Sequence, residues 1–272
     1  MNGCDQPGLM TVEQALERLL AAAQPMSDTE TVSLMQALGR VLAADQQSPV
    51  DVPPADNSAM DGFALRFADC HAGEETTLPI SQRIPAGAVP EPLQPGSAAR
   101  IFTGAEVPPG ADTVVMQEQC RWDDARVTLA ADIKCGTNIR PIGQDIHRGA
   151  TVLVRGHRLK PQDLGLLASV GIAEVPVYRR LKVALLCTGD ELVEPGEPLL
   201  PGHIYNSNRF TLMGQLQALG FDYVDLGRVA DTPEATEQAL RRAANEADCI
   251  ISSGGVSVGD EDHVKGCVEK LG

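Results

Sequence analysis

The feature of this chain that most restricts its fold is an alternation of short apolar runs and amphipathic stretches from Leu181 onward. The apolar runs predict strands at 182–187, 223–226 and 248–252, and the amphipathic stretches predict helices at 208–219, 233–247 and 262–271. Strands that alternate with helices form a parallel sheet with right-handed crossovers. Ligands of such sheets bind beyond the carboxyl ends of the strands, so the residues there are the first candidates for function.

Two polar segments follow the first and third of these strands. The first strand runs into Thr188, Gly189, Asp190 and Glu191, and the third runs into Ser253, Gly254, Gly255 and, two residues later, Ser257. Paired glycines let the backbone approach a ligand, and the amides of such a turn, with the following helix N-terminus, attract anions. The flanking serines favour phosphate or hydroxyl binding. A ligand-free strand-to-helix turn is the alternative, and the P-loop and G-x-G-x-x-G patterns are both absent.

Carboxylates are concentrated in the same predicted loops: Asp190, Glu191, Asp231, Asp260, Glu261 and Asp262. Mg²⁺ commonly takes one or two carboxylates together with substrate phosphate and water, which this arrangement could provide. Acidic side chains interact favourably with the positive N-terminal end of a helix, and this interaction is sufficient to explain Asp260 and Glu261. For Asp190 and Glu191, directly after an apolar strand, the metal-ligand interpretation is preferred.

The first half of the chain lacks this alternation and shows two helical patterns followed by many short β-prone runs. A capping box at 11–14 precedes a predicted helix whose apolar face, Val12, Leu16, Leu19 and Leu20, is most simply core, with a partner helix as the alternative. A second such box at 27–30 predicts a helix over 32–38. From about 49 to 141, short β-prone runs and frequent turn residues predict a small all-β module inserted into the helical region. A helix over 161–170 and a strand over 173–178 follow it.

Three polar segments in this half fit neither a helix nor a strand period, namely 56–64, 101–105 and 141–146. Loops of this kind are often functional, although ordinary turns would also explain them. The five histidines show no metal-ligand spacing, and no nucleophile motif is present.

Charge limits the partners. The chain carries 22 Lys and Arg against 37 Asp and Glu, a net charge of −15 that disfavours nucleic acid. A small anion could bind only where a metal ion or clustered amides reverse the local potential. The seven scattered cysteines predict neither disulfides nor a zinc site, and no stretch approaches the about 18 apolar residues of a membrane span. We therefore expect a cytoplasmic protein with no membrane partner.

Taken together, the segments 51–64, 101–105, 110–118, 143–146, 188–192 and 252–259 resemble those of the molybdopterin molybdenumtransferase family, in the same order along the chain. The resemblance runs from about residue 9 to the last residue. It implies a multidomain α/β plus β protein with a Rossmann-like, three-layer, parallel α/β pterin-binding domain, a small inserted all-β domain and an elongated α+β linker domain. The implied boundaries are 181–272 for the first, 49–141 for the second, and 9–48 with 142–180 for the third.

The resemblance also implies an activity: Mg²⁺-dependent insertion of molybdate into adenylylated molybdopterin with release of AMP. Residues implied to be important for activity are Asp61, Thr103, Asp145, Glu191, Asp231 and Asp262. The pterin nucleotide would be held by Thr188, Gly189, Ser253, Gly254, Gly255 and Ser257, and Mg²⁺ by Asp190, Glu191 and Asp262. The family pattern implies a homodimer whose active site is composite, with Asp61, Thr103 and Asp145 supplied by the second subunit. An upstream enzyme of the molybdopterin adenylyltransferase type is a candidate partner.

The sequence departs from the family pattern in several places. Phe63 stands where Tyr is common, Cys187 stands where Ser is often found, and the family's later segments do not occur before Gly272. The three predicted strands would leave an uncovered edge, so we expect a fragment or a chain completed by a partner, with little insertion activity by itself. The alternatives are a catalytically silent pterin-binding or scaffold fragment and a molybdopterin adenylyltransferase. The β module argues against the last.

Overall fold

The computed structural model describes residues 10–255 and 263–271. The chain divides into two compact units. Unit 1 consists of Met1–Glu30 and Val177–Gly272, and unit 2 consists of Thr31–Pro176. The three-domain division expected from the sequence stays a prediction.

The described residues contain six α-helices: α1 (Val12–Ala22), α2 (Leu34–Ala37), α3 (Pro161–Ser169), α4 (Ser207–Leu219), α5 (Pro233–Glu246) and α6 (His263–Leu271). Two short 3₁₀ helices occur at Phe67–Asp69 and Gln117–Gln119. In the part of the chain that is described, none of the helices has the length and apolar character needed to cross a membrane.

The strands in unit 2 and at its ends are β1 (Thr29–Ser33), β2 (Gln46–Gln47), β3 (Asn57–Ser58), β4 (Gly62–Leu65), β5 (Thr76–Ile84), β6 (Ala98–Ile101), β7 (Thr113–Met116), β8 (Cys120–Trp122), β9 (Arg126–Leu129), β10 (Ile139–Arg140), β11 (Thr151–Leu153) and β12 (Glu174–Tyr178). Those in unit 1 are β13 (Lys182–Thr188), β14 (Leu192–Val193), β15 (Ile204–Tyr205), β16 (Asp222–Val229) and β17 (Cys249–Ser253).

Unit 1 is built around a three-stranded sheet with the order β16-β13-β17, in which both neighbours run parallel to β13. The predicted parallel sheet is therefore confirmed. Leu186 of β13 packs in a core with Leu240 of α5 and Val264 of α6, while the next residue, Cys187, lies close to Asn206 and Arg209 at the start of α4. Successive strand residues point to opposite faces, so α4 covers one face of the sheet and α5 and α6 cover the other.

Unit 2 contains a six-stranded mixed sheet with the order β7-β4-β6-β5-β9-β8, in which β5 and β6 are parallel and the other neighbours antiparallel. Both faces of the sheet are buried at β4. Phe63 and Leu65 belong to one core cluster, and Ala64, between them, belongs to another. This explains why β4 shows no polar alternation in the sequence.

Two expectations about the first fifty residues are wrong. Residues 29–33 are a strand that pairs with β12, and only Leu34–Ala37 is helical, because pairing with another strand overrides a local capping pattern. The capping box of α1 is present, but α1 buries none of its residues, and Val12 and Leu19 are 80% and 70% exposed. The apolar stripe of α1 is therefore not core within the described part of the chain.

Gly62 is required where β4 meets β7. A Cβ at this position would lie 2.0 Å from the carbonyl oxygen of Val115, a backbone atom that cannot move without breaking the ladder. We therefore expect Gly62→Ala to destabilise the protein by roughly 3 kcal/mol or more, at the upper end of the cost of overpacking.

The matched control is Gly165→Ala in α3. Gly165 has open space around its Cβ position and a helical conformation, so this substitution should stabilise by about 0.5–1 kcal/mol. Urea unfolding followed by circular dichroism measures both. Equal effects of the two substitutions would contradict the assignment of a close backbone contact at Gly62.

Candidate active site

A small cleft opens in unit 1 at the carboxyl ends of β13 and β17. Its volume is about 160 Å³, and its lining is Thr188, Glu191, Leu192, Ile204, Tyr205, Asn206, Ser207, Asn208, Ser253 and Gly254. This is the edge of a parallel sheet at which ligands are expected. We call it the unit 1 cleft.

The floor of the unit 1 cleft is a close contact between Thr188 and the two glycines after β17. A Cβ on Gly254 would lie 2.6 Å from the Thr188 carbonyl oxygen, and one on Gly255 would lie 2.9 Å from its Oγ1. Both glycines have positive φ angles, +94° and +67°. No other residue type could make this turn without displacing β13, so geometry is sufficient to explain the glycine pair, and its role in ligand binding stays a prediction.

Two buried polar atoms in this region have no oxygen or nitrogen partner among the described residues. They are the hydroxyl oxygen of Thr188 and the side-chain nitrogen of Asn206, which lies beside the Cys187 thiol, and both residues border the cleft. Buried polar groups are normally satisfied, and an unsatisfied one costs about 1–3 kcal/mol. A ligand that entered the cleft could supply the missing partners.

The N-terminus of α4 was not identified from the sequence as part of the site. Asn206 caps α4 by accepting from the amide of Arg209, and the Asn208 side chain donates to the Ser253 hydroxyl at 3.0 Å. Three consecutive polar residues, 206–208, at the N-terminus of a helix were the available sign, because such residues cap helices.

An ion pair holds the start of α4 against the sheet. Arg209 donates to both carboxylate oxygens of Asp225 in β16 and lies 2.7 Å from Glu194. Burial alone would raise the pKa of Asp225, but the Arg209 guanidinium and the Gly227 amide lower it below its ordinary value. The site therefore rests on a fixed charge pair that is ionised throughout the physiological pH range.

Glu191 is exposed and lines the unit 1 cleft, on the same side of the sheet as Gly254. The turn that places it depends on Gly189, whose φ is +148° and whose Cβ position would lie 2.7 Å from Glu191 Oε2. The structure thus brings Glu191 and the Thr188–Gly254 contact together, as the sequence predicts.

Asp190 and Asp231 lie next to each other and share two hydrogen bonds. The amide of Asp190 donates to Asp231 Oδ2 at 3.0 Å, and the amide of Asp231 donates to Asp190 Oδ1 at 3.4 Å. Arg228 also donates to the carbonyl oxygen of Asp190. These bonds leave one carboxylate oxygen on each residue without a partner among the described residues.

The predicted metal set is only partly visible. Asp262 and Ser257 lie outside the described residues, so their predicted roles are untested. Within residues 10–255 and 263–271, no three His, Cys, Asp or Glu side chains are grouped closely enough to hold a metal ion. Any cation bound here by Asp190 or Glu191 would need further ligands from water, substrate or the remaining residues.

In unit 2, Asp61 and Thr103 form a tight pair. One oxygen of Asp61 accepts from both the backbone amide and the hydroxyl of Thr103, each at 2.7 Å. The amide and then the hydroxyl lower the pKa of Asp61 below its ordinary value. The second oxygen, Oδ2, accepts from no group in the described residues.

The three unusual segments of unit 2 meet at Ser58. Its amide donates to the Ala105 carbonyl oxygen, its own carbonyl accepts from Gly104, and the next residue, Ala59, donates to Asn138. Strand β3 also pairs with β10, which leads into 141–146. Segments separated by up to about 85 residues are therefore fixed to one another, which plain turns would not require.

Asp145 is exposed and lies in the third of these segments. Its Oδ2 lies 2.5 Å from the Arg140 guanidinium, and its backbone amide donates to Val52. The pairing of Arg140 with Asn57 connects Asp145 to the strand that leads to Asp61.

Comparison with known proteins decides the family. Residues 10–171 match the family model described as the MoeA N-terminal region (domain I and II), and 184–272 match a probable molybdopterin binding domain. The chain belongs to the MoeA family. The resemblance inferred from the motifs is confirmed.

Named members of the MoeA family align over nearly the whole chain. A molybdopterin molybdenumtransferase of Haemophilus influenzae is 44% identical over 97% of this chain, which spans 65% of that relative's length. One from Synechococcus elongatus is 36% identical, with 97% of this chain and 68% of the relative covered. The crystal structure of the molybdopterin biosynthesis MoeA protein of Pyrococcus horikoshii has a TM-score of 0.84 at 32% identity, covering 97% of this chain and 67% of that one.

The Asp61–Thr103 pair gives a prediction about charge. Replacing Thr103 with Val removes the hydroxyl donor and keeps the amide donor, so the pKa of Asp61 should rise but stay below its ordinary value. Because the folded-state pKa is lowered, the pair stabilises the fold above the unfolded-state pKa, and this contribution is lost as the pH falls through the folded-state value.

Carbon-detected NMR titration of the Asp61 carboxyl group measures the shift. Thr128→Val is the control, since the Thr128 hydroxyl bonds only to Thr77 among the described residues. An Asp61 pKa that is the same in Thr103→Val and in the unmodified protein would show that the hydroxyl bond is not formed in solution.

Proposed function

We propose that this chain acts in molybdenum cofactor biosynthesis by binding adenylylated molybdopterin in the unit 1 cleft. The observation that carries this proposal is the buried hydroxyl of Thr188 at a double-glycine turn, for which the described residues supply no hydrogen-bond partner. Relatives named molybdopterin molybdenumtransferase support the substrate class. The chain spans 65% and 62% of the first two relatives' lengths, so the activity of the whole protein is part of the proposal.

The phosphates of the nucleotide fit the donors at the cleft. The Gly254–Gly255 turn lets the backbone approach an anion, and Thr188 and Asn206 have buried donor groups without an oxygen or nitrogen partner in the described part of the chain. Ser253 and Asn208, already bonded to each other, form the wall beside them. Gly189 and Ser257 complete the proposed nucleotide-binding set.

Mg²⁺ would be held by Asp190 and Glu191, with Asp262 as a further ligand. The oxygens left without a partner on Asp190 and Asp231 and the exposed carboxylate of Glu191 are hard donors, which fit Mg²⁺ when phosphate and water complete the coordination. When bound, Mg²⁺ stabilises negative charge on the pyrophosphate as it is cleaved.

The proposed reaction is the insertion of molybdate into adenylylated molybdopterin. The pyrophosphate bond breaks and AMP leaves. The phosphorus that loses the bridging oxygen gains an oxygen from water or from molybdate. Glu191 and Asp231 position the attacking oxygen at the unit 1 cleft. Asp61, Thr103 and Asp145 are proposed to serve the same reaction, supported by the fixed carboxylate of Asp61. The homodimer with a composite active site stays a prediction.

The proposal is tested by isothermal titration of the chain with adenylylated molybdopterin, with and without Mg²⁺ and molybdate, followed by detection of AMP. Binding with AMP release supports the transferase. Binding without AMP release supports a silent pterin-binding fragment, and no binding contradicts both.

Glu191→Ala gives the site-specific prediction. If the unmodified protein releases AMP, we expect this variant to release it at least tenfold more slowly. If the unmodified protein binds the substrate without releasing AMP, we expect the variant to lose the gain in affinity that Mg²⁺ gives. Glu197→Ala, which replaces an exposed glutamate in the loop after β14, is the matched control and should behave like the unmodified protein. If Glu191→Ala retains full turnover and full Mg²⁺ dependence, Glu191 has no part in the mechanism.

A further inference from the structure

Two arginines occupy neighbouring positions on adjacent strands of unit 2. Arg83 of β5 and Arg100 of β6 are register partners in the parallel pair, so their side chains leave the same face of the sheet. Both guanidinium groups lie over the ring of Phe102, at 4.5 Å and 4.8 Å from its centroid. Phe102 directly precedes Thr103, which bonds to Asp61. We call Arg83, Arg100 and Phe102 the arginine pair site.

Arg100 is held rigidly. One of its terminal nitrogens donates to the carbonyl oxygen of Gly62 at 3.1 Å and the other donates to the Gln117 side chain at 2.5 Å. Its guanidinium also lies 5.0 Å from the ring centroids of Phe63 and Trp122. A guanidinium has five N–H donors, so this fixed group keeps further donors for a ligand.

Arg83 is exposed and makes no hydrogen bond or ion pair within the described residues beyond its stacking on Phe102. The contrast with other arginines is informative. Arg121, Arg179 and Arg209 each lie within 4.0 Å of a carboxylate, as expected in a chain with net charge −15. No carboxylate of the described residues lies within that distance of Arg83 or Arg100.

Like charges on directly opposite strand positions are destabilising. The structure keeps two of them side by side and stacks them on one aromatic ring, and among the described residues the Asp61 carboxylate attracts Arg100 only from beyond ion-pair distance. Arrangements that cost stability without a local benefit occur at functional sites. Paired guanidinium groups match the geometry of tetrahedral oxyanions, to which each can donate two hydrogen bonds.

We propose that the arginine pair site binds a tetrahedral oxyanion through the unused donors of Arg83 and Arg100. The oxyanion is either free, as in molybdate, or borne by a phosphate ester, as in a nucleotide. The site is separate from the unit 1 cleft in its residues and in its donors. It therefore does not depend on the proposed function, and inorganic anions suffice to test it.

The test uses Trp122, the single tryptophan of the chain, which lies 5.0 Å from the Arg100 guanidinium. Its fluorescence, excited at a wavelength that AMP does not absorb, is followed during titration with sodium phosphate, sodium molybdate or AMP at constant ionic strength. We expect a saturable change with at least one of the three and none with chloride. Tighter binding of molybdate identifies a free oxyanion, and tighter binding of AMP identifies a phosphate ester.

Arg83→Gln is the decisive variant, because Arg83 is exposed and its loss leaves every described hydrogen bond in place. We expect the dissociation constant to rise at least tenfold while the thermal unfolding midpoint does not fall, because the substitution removes a like-charge repulsion and no hydrogen bond. Arg126→Gln is the matched control, because Arg126 alternates with Val127 of the Phe63 core and so lies on the other face of the same sheet. A saturable response that is equal in Arg83→Gln and Arg126→Gln, or no saturable response in the unmodified protein, overturns the proposal.

Discussion

The close approach of Gly254 and Gly255 to Thr188 is the constraint on which the rest of unit 1 depends. It allows the end of β17 to turn directly over the end of β13, at distances that any Cβ would make impossible. The same contact buries the Thr188 hydroxyl, which has no hydrogen-bond partner within residues 10–255 and 263–271. Packing alone therefore requires glycine at these two positions, and the proposed ligand binding would make the same demand.

The sheet and helices of unit 1 could be predicted from the sequence because their determinants are local. Apolar runs such as 182–187 and a capping threonine before Pro233 specify their own conformation. The region 29–38 could not be predicted in this way, since the capping pattern at 27–30 is local whereas β1 is formed by pairing with β12, about 145 residues away. The exposure of α1 was missed for a related reason, since an amphipathic pattern shows that a face is apolar but not what covers it.

The candidate sites also divide into features with local determinants, which could be predicted, and features that depend on long-range contacts, which could not. Glu191 and Gly254 were predictable, because the parallel sheet brings the ends of β13 and β17 to one edge. The joining of three distant segments at Ser58 was not, since it depends on backbone hydrogen bonds between residues that share no periodic pattern. A role for Arg100 could not be predicted from the sequence. A single arginine in a short apolar strand gives no functional signal until its register partner on the next strand is known.

Asp190 and Asp231 show what reciprocal bonding does to a pair of loops. Each carboxylate accepts a hydrogen bond from the backbone amide of the other residue. The loop after β13 and the loop after β16 are therefore joined by two hydrogen bonds between the same two residues. Changing either side chain removes one bond directly and loosens the loop that presents the other carboxylate. The two positions thus form a single energetic unit, whose members cannot be exchanged one at a time without cost, and the effects of substituting them will not add.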